Sequence, residues 1–145
     1  MRNVHILLVE DNEGDIVLTT EAFEESKILN KFSVARNGKE ALDFLYKRGE
    51  YHDAPEPDII LLDINLPLMS GIEVLQEIKN DERVKHIPVI MLTTSSSEKD
   101  ISLSYKHHAN CYITKPVEVS KFLEAITAIE HFWLEIVSLD AKRKQ

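Results

Sequence analysis

Residues that carry metal and phosphorus chemistry stand at the carboxyl ends of apolar runs in this chain: Glu10 and Asp11 after Val4–Val9, Asp63 after Ile59–Leu62, Thr93 after Val89–Leu92, and Lys115 after Cys111–Thr114. Carboxylates gathered in one place repel one another. A hard divalent cation keeps them ionised together, and an all-oxygen ligand set points to magnesium or manganese. A carboxylate beside such an ion can attack phosphorus. The ion neutralises the phosphoryl oxygens, Lys115 adds a point charge, and the Thr93 hydroxyl can donate to another oxygen. Taken singly, Asp63 would be a turn aspartate, Lys115 a solvated surface lysine and Thr93 a β-branched strand residue. Only their convergence changes that reading.

Convergence requires that the runs be neighbouring parallel strands. Ile59 to Leu62 has no polar face, which suits a central strand covered on both sides. Val4–Val9 and Val89–Leu92 follow the same logic. Lys31–Ala35 alternates enough for a more exposed edge strand, and Cys111–Thr114 is a fourth short member of the parallel set beside the central one. Ligands of open α/β sheets sit at the carboxyl ends of the strands.

Helical stretches alternate with these strands. Asn12 to about Ser26 places Ile16, Thr20 and Phe23 on one face with Leu18 and Ala22 beside it. Asn37 with Glu40, Ser70 with Glu73 and Ser95 with Glu98 are N-caps with capping-box acids. The first opens a helix with Ala41, Leu42 and Leu45 buried and Gly49 just past its end. The second opens one with Val74, Leu75 and Ile78 buried. The third opens a weakly patterned helix to about His108, with Ile101 and Tyr105 as anchors, a candidate for movement. Tyr51 to Pro57, acidic and proline-containing, is a loop. The last helix, Glu118 to Ser138, carries the strongest pattern: Phe122, Ile126, Ile129, Trp133 and Ile136. Strand and helix alternate five times, the signature of a parallel sheet covered on both faces.

At 145 residues the chain is one domain in size, expected over 1–138 with a polar tail over 139–145. A net charge of −8 argues against a nucleic-acid partner. Cys111 is the single cysteine, so no intramolecular disulfide forms, and a reducing compartment is expected. Without a secretory h-region or a membrane-length apolar run, the protein is expected to be cytoplasmic, with no membrane partner. His107, His108 and Cys111 lack a fourth ligand, and Cys111 reads as a small buried hydrophobe.

Four motifs in this order resemble the receiver domains of two-component response regulators: Leu-Val-Glu-Asp ending the first strand, Leu-Leu-Asp-Ile-Asn-Leu-Pro around Asp63, Met-Leu-Thr-Thr at the fourth strand and Tyr-Ile-Thr-Lys-Pro at the fifth. The separations of Asp63, Thr93 and Lys115 match as well. The resemblance covers residues 3 to 137. It implies a flavodoxin-like, doubly wound five-stranded parallel sheet of order 2-1-3-4-5 with five helices, the last extended. It further implies a phosphoprotein of phosphorelay signal transduction that takes a phosphoryl group from a sensor histidine kinase with Mg2+, passes the change to a downstream protein, and is no enzyme beyond its own phosphorylation and dephosphorylation.

By the same resemblance Asp63 is the phosphoacceptor, Asp11 a direct metal ligand, Glu10 its acidic partner, and Asn65 a backbone-carbonyl ligand. Thr93 is the hydroxyl that moves onto the phosphoryl group, Lys115, before a cis proline, clamps it, and Tyr112 is the aromatic switch. Glu10 stands where many receivers carry Asp, and Thr94 where Ala is common. The loop at Tyr51–Pro57 and the His131-Phe132-Trp133-Leu134-Glu135 ending are most similar to stand-alone regulators paired with phytochrome-type kinases. A last helix of roughly 30 Å overhangs strands of about 17–20 Å. Its Phe132, Trp133, Leu134, Ile136 and Val137 therefore suggest a homodimer of paired last helices around Trp133. Two other readings share the fold: an interaction module that is never phosphorylated, disfavoured by the intact acids and lysine, and an FMN redox carrier, disfavoured by the acidic Glu10–Glu13 stretch where a flavin phosphate would lie.

Overall fold

The computed structural model describes residues 4–25, 30–94, 108, 109 and 111–126. Five strands, β1 (Val4–Val9), β2 (Asn30–Ala35), β3 (Ile59–Asp63), β4 (Val89–Thr93) and β5 (Cys111–Thr114), form one parallel sheet of order β2-β1-β3-β4-β5. The helices α1 (Glu13–Glu24), α2 (Gly38–Leu45), α3 (Gly71–Lys79) and α4 (Val119–Ile126) cover its two faces. The sheet order and both sheet-edge assignments agree with the sequence.

Strand periodicity of two divides each apolar run between two cores. On one face Leu7, Val9, Ile60, Leu62, Val89 and Met91 pack under α2 and α3. On the other, Ile6, Leu8, Ile59, Leu61, Ile90 and Leu92 pack under α1 and α4, where the Phe23 and Phe122 rings meet edge-to-face at 4.9 Å. β1, β3 and β4 are buried along their whole length, and each Leu or Ile side chain so buried is worth about 1.5–3 kcal/mol. β5 alternates buried and exposed, as an edge strand does.

The helix starts follow their caps. The side chains of Asn12, Asn37 and Ser70 accept from the backbone N–H of Asp15, Glu40 and Glu73, and Glu40 Oε2 accepts in return from the Arg36 N–H at 2.8 Å. α2 ends at Leu45, earlier than Gly49 suggested. Lys47 takes the left-handed conformation (φ 56°), and the Arg48 N–H reaches back to Asp43 O at 2.9 Å, closing a Schellman-type end without glycine. Gly49, itself at φ 55°, then opens a 3-10 turn over Gly49–Tyr51. In α1 the buried stripe is Ile16, Thr19 and Phe23, and Leu18 is 55% exposed. Thr20 is only partly buried because its hydroxyl is turned to Ile16 O.

Four α-helices, not five, lie among the described residues, and this corrects the expected helix count. The remaining one, fourth in chain order, was expected over Ser95 to about His108 from one capping box and two apolar anchors. It lies outside the described residues except at its end, where His108 has φ 70°, which is not helical. α4 is described only to Ile126, so the extension to Ser138 and the pairing through Trp133 also lie outside the described residues. No described helix is long and apolar enough to cross a membrane.

Gly71 determines how closely α3 approaches the end of β3. A Cβ there would stand 2.1 Å from Asp63 O and 2.7 Å from Ile64 Cα, both backbone atoms, while the Gly71 N–H donates to Ile64 O at 2.8 Å. Gly71→Ala should therefore lose about 1–3 kcal/mol by displacing the helix, read as a lowered urea midpoint at unchanged slope. An unchanged midpoint would refute the contact.

His5 is buried in β1, hydrogen-bonded through Nε2 to Ser33 Oγ at 2.8 Å and edge-on to Phe44. Burial, then the charge of Lys31, holds its imidazole below the ordinary value of 6.5, against a smaller upward pull from Asp58. As pH falls below 6.5 the unfolded chain protonates this residue before the folded one does, so stability drops in that window. His5→Gln should flatten the loss between about pH 7 and about pH 5.5 in urea unfolding; parallel curves for the two proteins would contradict it.

Candidate functional site

Strand register brings the candidate residues together. Val9 pairs with Leu62, which sets Glu10 beside Asp63; Asp63 pairs with Leu92, one residue before Thr93; Thr93 pairs with Thr114, one residue before Lys115. The Lys115 N–H extends the ladder to Thr93 O at 2.7 Å, and the peptide bond that follows, Lys115–Pro116, is cis. Glu10, Asp63 and Thr93 are each at least 98% buried, which is exceptional for acids that are not partnered.

Their partner is Lys115. Its Nζ donates to Glu10 Oε2 at 2.8 Å, Asp15 Oδ2 at 2.9 Å and Asp63 Oδ2 at 3.2 Å, using all three ammonium hydrogens, and its side chain is 8% exposed. Burial by itself lowers a lysine, but the carboxylates of Glu10, Asp15 and Asp63 outweigh it and the ammonium is held above its ordinary range. Burial raises Glu10, with Asp63 adding to the shift, while Lys115 and the Asn12 N–H on Oε1 (3.1 Å) act against it. The Asn65 N–H donates to Asp63 Oδ1 at 3.1 Å, so both Asp63 oxygens are oriented.

Asp11 stands at the exposed mouth. Oxygens of Glu10, Asp11 and Asp63 lie within 4.8 Å of one another, two of the three buried. This all-carboxylate set fits a hard divalent cation of the magnesium class: three anions in one place, oxygen donors only, and one of them open to solvent through which waters could complete the shell. One lysine cannot neutralise four carboxylates, so the site retains excess negative charge that a dication would offset.

The structure thus brings Glu10, Asp11, Asp63, Thr93 and Lys115 to one end of the sheet, as expected from the sequence. Asn65 is exposed two residues past Asp63. Tyr112 lies on the outer face of the edge strand, 36% exposed. Two residues were missed. Asp15 is not singled out by the sequence, although its place four residues after Asp11, in the first turn of the helix that leaves β1, is a usable signal. Gly71 is not singled out either, and its role depends on a backbone approach no local pattern encodes. Cys111 is buried, which pushes its thiol up to about 11 and fits the small-hydrophobe reading.

The family model for the response regulator receiver domain matches residues 6–127. Response regulator Rcp1 of Synechocystis sp. is 46% identical over 136 residues, covering 94% of this chain and 92% of that protein. Among solved structures, the bacteriophytochrome response regulator AtBRR is similar at a TM-score of 0.83 and 44% identity, covering 92% of this chain and 96% of its own. The phosphorylated cyanobacterial phytochrome response regulator RcpA is similar at 0.77 and 47%, covering 92% and 95%.

A cation bound only by the folded site stabilises it by RT ln(1 + [L]/Kd), about 2.7 kcal/mol at a hundredfold excess over Kd. Magnesium should therefore raise the thermal midpoint of the wild type, and Asp11→Asn should remove most of that increment. Equal increments in differential scanning fluorimetry would exclude Asp11 as a ligand.

Proposed function

The chain belongs to the response regulator receiver family, close to the phytochrome-associated regulators, and on that premise we propose that Asp63 is its phosphoacceptor, loaded by a histidine kinase of the phytochrome-linked kind. The observation that carries this is the three-way hold of one buried ammonium on Glu10, Asp15 and Asp63, with Asp11 at the mouth. In the transfer, an Asp63 carboxylate oxygen forms a bond to phosphorus as the P–N bond of a phosphohistidine breaks. The electron pair stays on the imidazole nitrogen. A divalent ion, when bound, supplies charge neutralisation for the phosphoryl oxygens. Receiver domains of this family catalyse only their own phosphorylation and dephosphorylation.

Each remaining residue has a role in this reading. Asp11 and Glu10, with Asp63 and the Asn65 carbonyl, hold the ion. Lys115 follows the phosphoryl group as its counter-charge, and Thr93, buried one residue past the strand position opposite Asp63, supplies a hydroxyl donor. Tyr112, two residues before Thr114 on the edge strand, reports the change at the surface to a downstream protein. The receiver spans 1–138 with 139–145 as a tail, and two copies pair through the last helix. Moving a population from one in a hundred to ninety-nine needs about 5.5 kcal/mol, and two or three charge-assisted hydrogen bonds at ~1.5–3 kcal/mol reach that order.

Asp63→Asn tests the acceptor. The amide keeps an oxygen for the Asn65 N–H, and Lys115 keeps Glu10 and Asp15, so the variant should stay folded by circular dichroism. Labelling by acetyl phosphate with magnesium, read by intact-protein mass, should vanish. Labelling at the wild-type rate would overturn the assignment.

A further inference from the structure

Of the three carboxylates on Lys115, two have other duties if Asp63 is the acceptor: Asp63 becomes an acyl phosphate and Glu10 belongs to the cation cluster. Asp15 has neither. Its Oδ2 lies 2.9 Å from Nζ, shorter than the 3.2 Å contact to Asp63, and its side chain is 31% exposed, at the rim rather than the floor. It is also fixed. Asp15 sits in the first turn of α1, where its N–H is capped by Asn12 Oδ1 at 2.9 Å, so its Cα is anchored and the short side chain can reach Lys115 only from the rim. The ammonium has three hydrogens and three carboxylate partners. A phosphoryl oxygen can gain a hydrogen bond from Lys115 only if one partner releases it.

We propose that Asp15 is a positioning residue that holds Lys115 in the unphosphorylated site and competes with the incoming phosphoryl group for it. Resting on Asp63 as acceptor, this makes Asp15 a charge filter at the mouth of the site. Phosphorylation exchanges a carboxylate for a group of charge about −1.5 to −2, and a fixed anion sharing the same counter-ion opposes that exchange. The opposition grows with donor charge. In labelling by acetyl phosphate the Asp63 oxygen bonds to phosphorus, the P–O bond to the acetyl group breaks, and acetate leaves with the electron pair. In labelling by phosphoramidate the P–N bond breaks and the nitrogen leaves as ammonia.

The test compares second-order labelling constants for dianionic acetyl phosphate and monoanionic phosphoramidate, at saturating magnesium, in wild type, Asp15→Asn, Asp15→Glu and Asp63→Asn. Asp15→Asn should label roughly three- to tenfold faster with acetyl phosphate and about two- to threefold faster with phosphoramidate, because the Coulomb repulsion scales with donor charge. Asp15→Glu should restore the wild-type ratio between donors. A purely structural role at the helix start would alter thermal stability without separating the donors. Equal changes with both donors, or slower labelling of Asp15→Asn with acetyl phosphate, overturn the inference while Asp63-dependent labelling leaves the acceptor reading standing. Labelling that survives Asp63→Asn overturns both.

Discussion

A single ammonium, almost wholly withdrawn from water, pairs with three carboxylates from three different elements of this protein: the end of β1, the first turn of α1 and the end of β3. Such a cluster is costly to bury, and it is tolerable only because each charge has a partner at hydrogen-bond distance. Removing any member leaves an uncompensated neighbour in a poorly solvated place. The same cluster is short of positive charge, since Asp11 adds a fourth carboxylate beside it. That deficit makes the site receptive to a dication and, with it, to a phosphoryl group.

Everything around the cluster serves to hold its members in register. The parallel ladder places Glu10 against Asp63 and Thr93 against the approach to Lys115, and two apolar layers clamp the ladder from both sides. A slip of one residue between β1 and β3 would turn every strand side chain to the opposite core. Register and site chemistry are therefore protected by the same packing. Gly71 adds a finer constraint: α3 comes close enough to touch the Asp63 backbone only because no Cβ intervenes.

The rigid part ends at the rim. Asp11, Asn65, Thr94 and Tyr112 are exposed, and β5 is an edge strand with one face open. Asp63 thus has the buried sheet below it and solvent-exposed groups above. This is the arrangement in which a few charge-assisted hydrogen bonds can shift an outer surface without unfolding the core.

The sequence by itself determined the five strands, the helix caps at Asn37 and Ser70, and the acids, hydroxyl and lysine at the strand ends, because these depend on short-range signals: unbroken apolar runs, capping side chains, and polarity inverting where a strand stops; the order of the strands came from the family resemblance of the motifs. Only the tertiary structure decided which carboxylates share Lys115. Asp15 lies a hundred residues away along the chain, and its carboxylate joins the site through the angle at which α1 leaves β1. The close approach of α3 to the end of β3 at Gly71 belongs to the same class. Both depend on distances between elements, which residue type and periodicity do not encode, whereas the apolar runs that build those elements are written into the strands themselves.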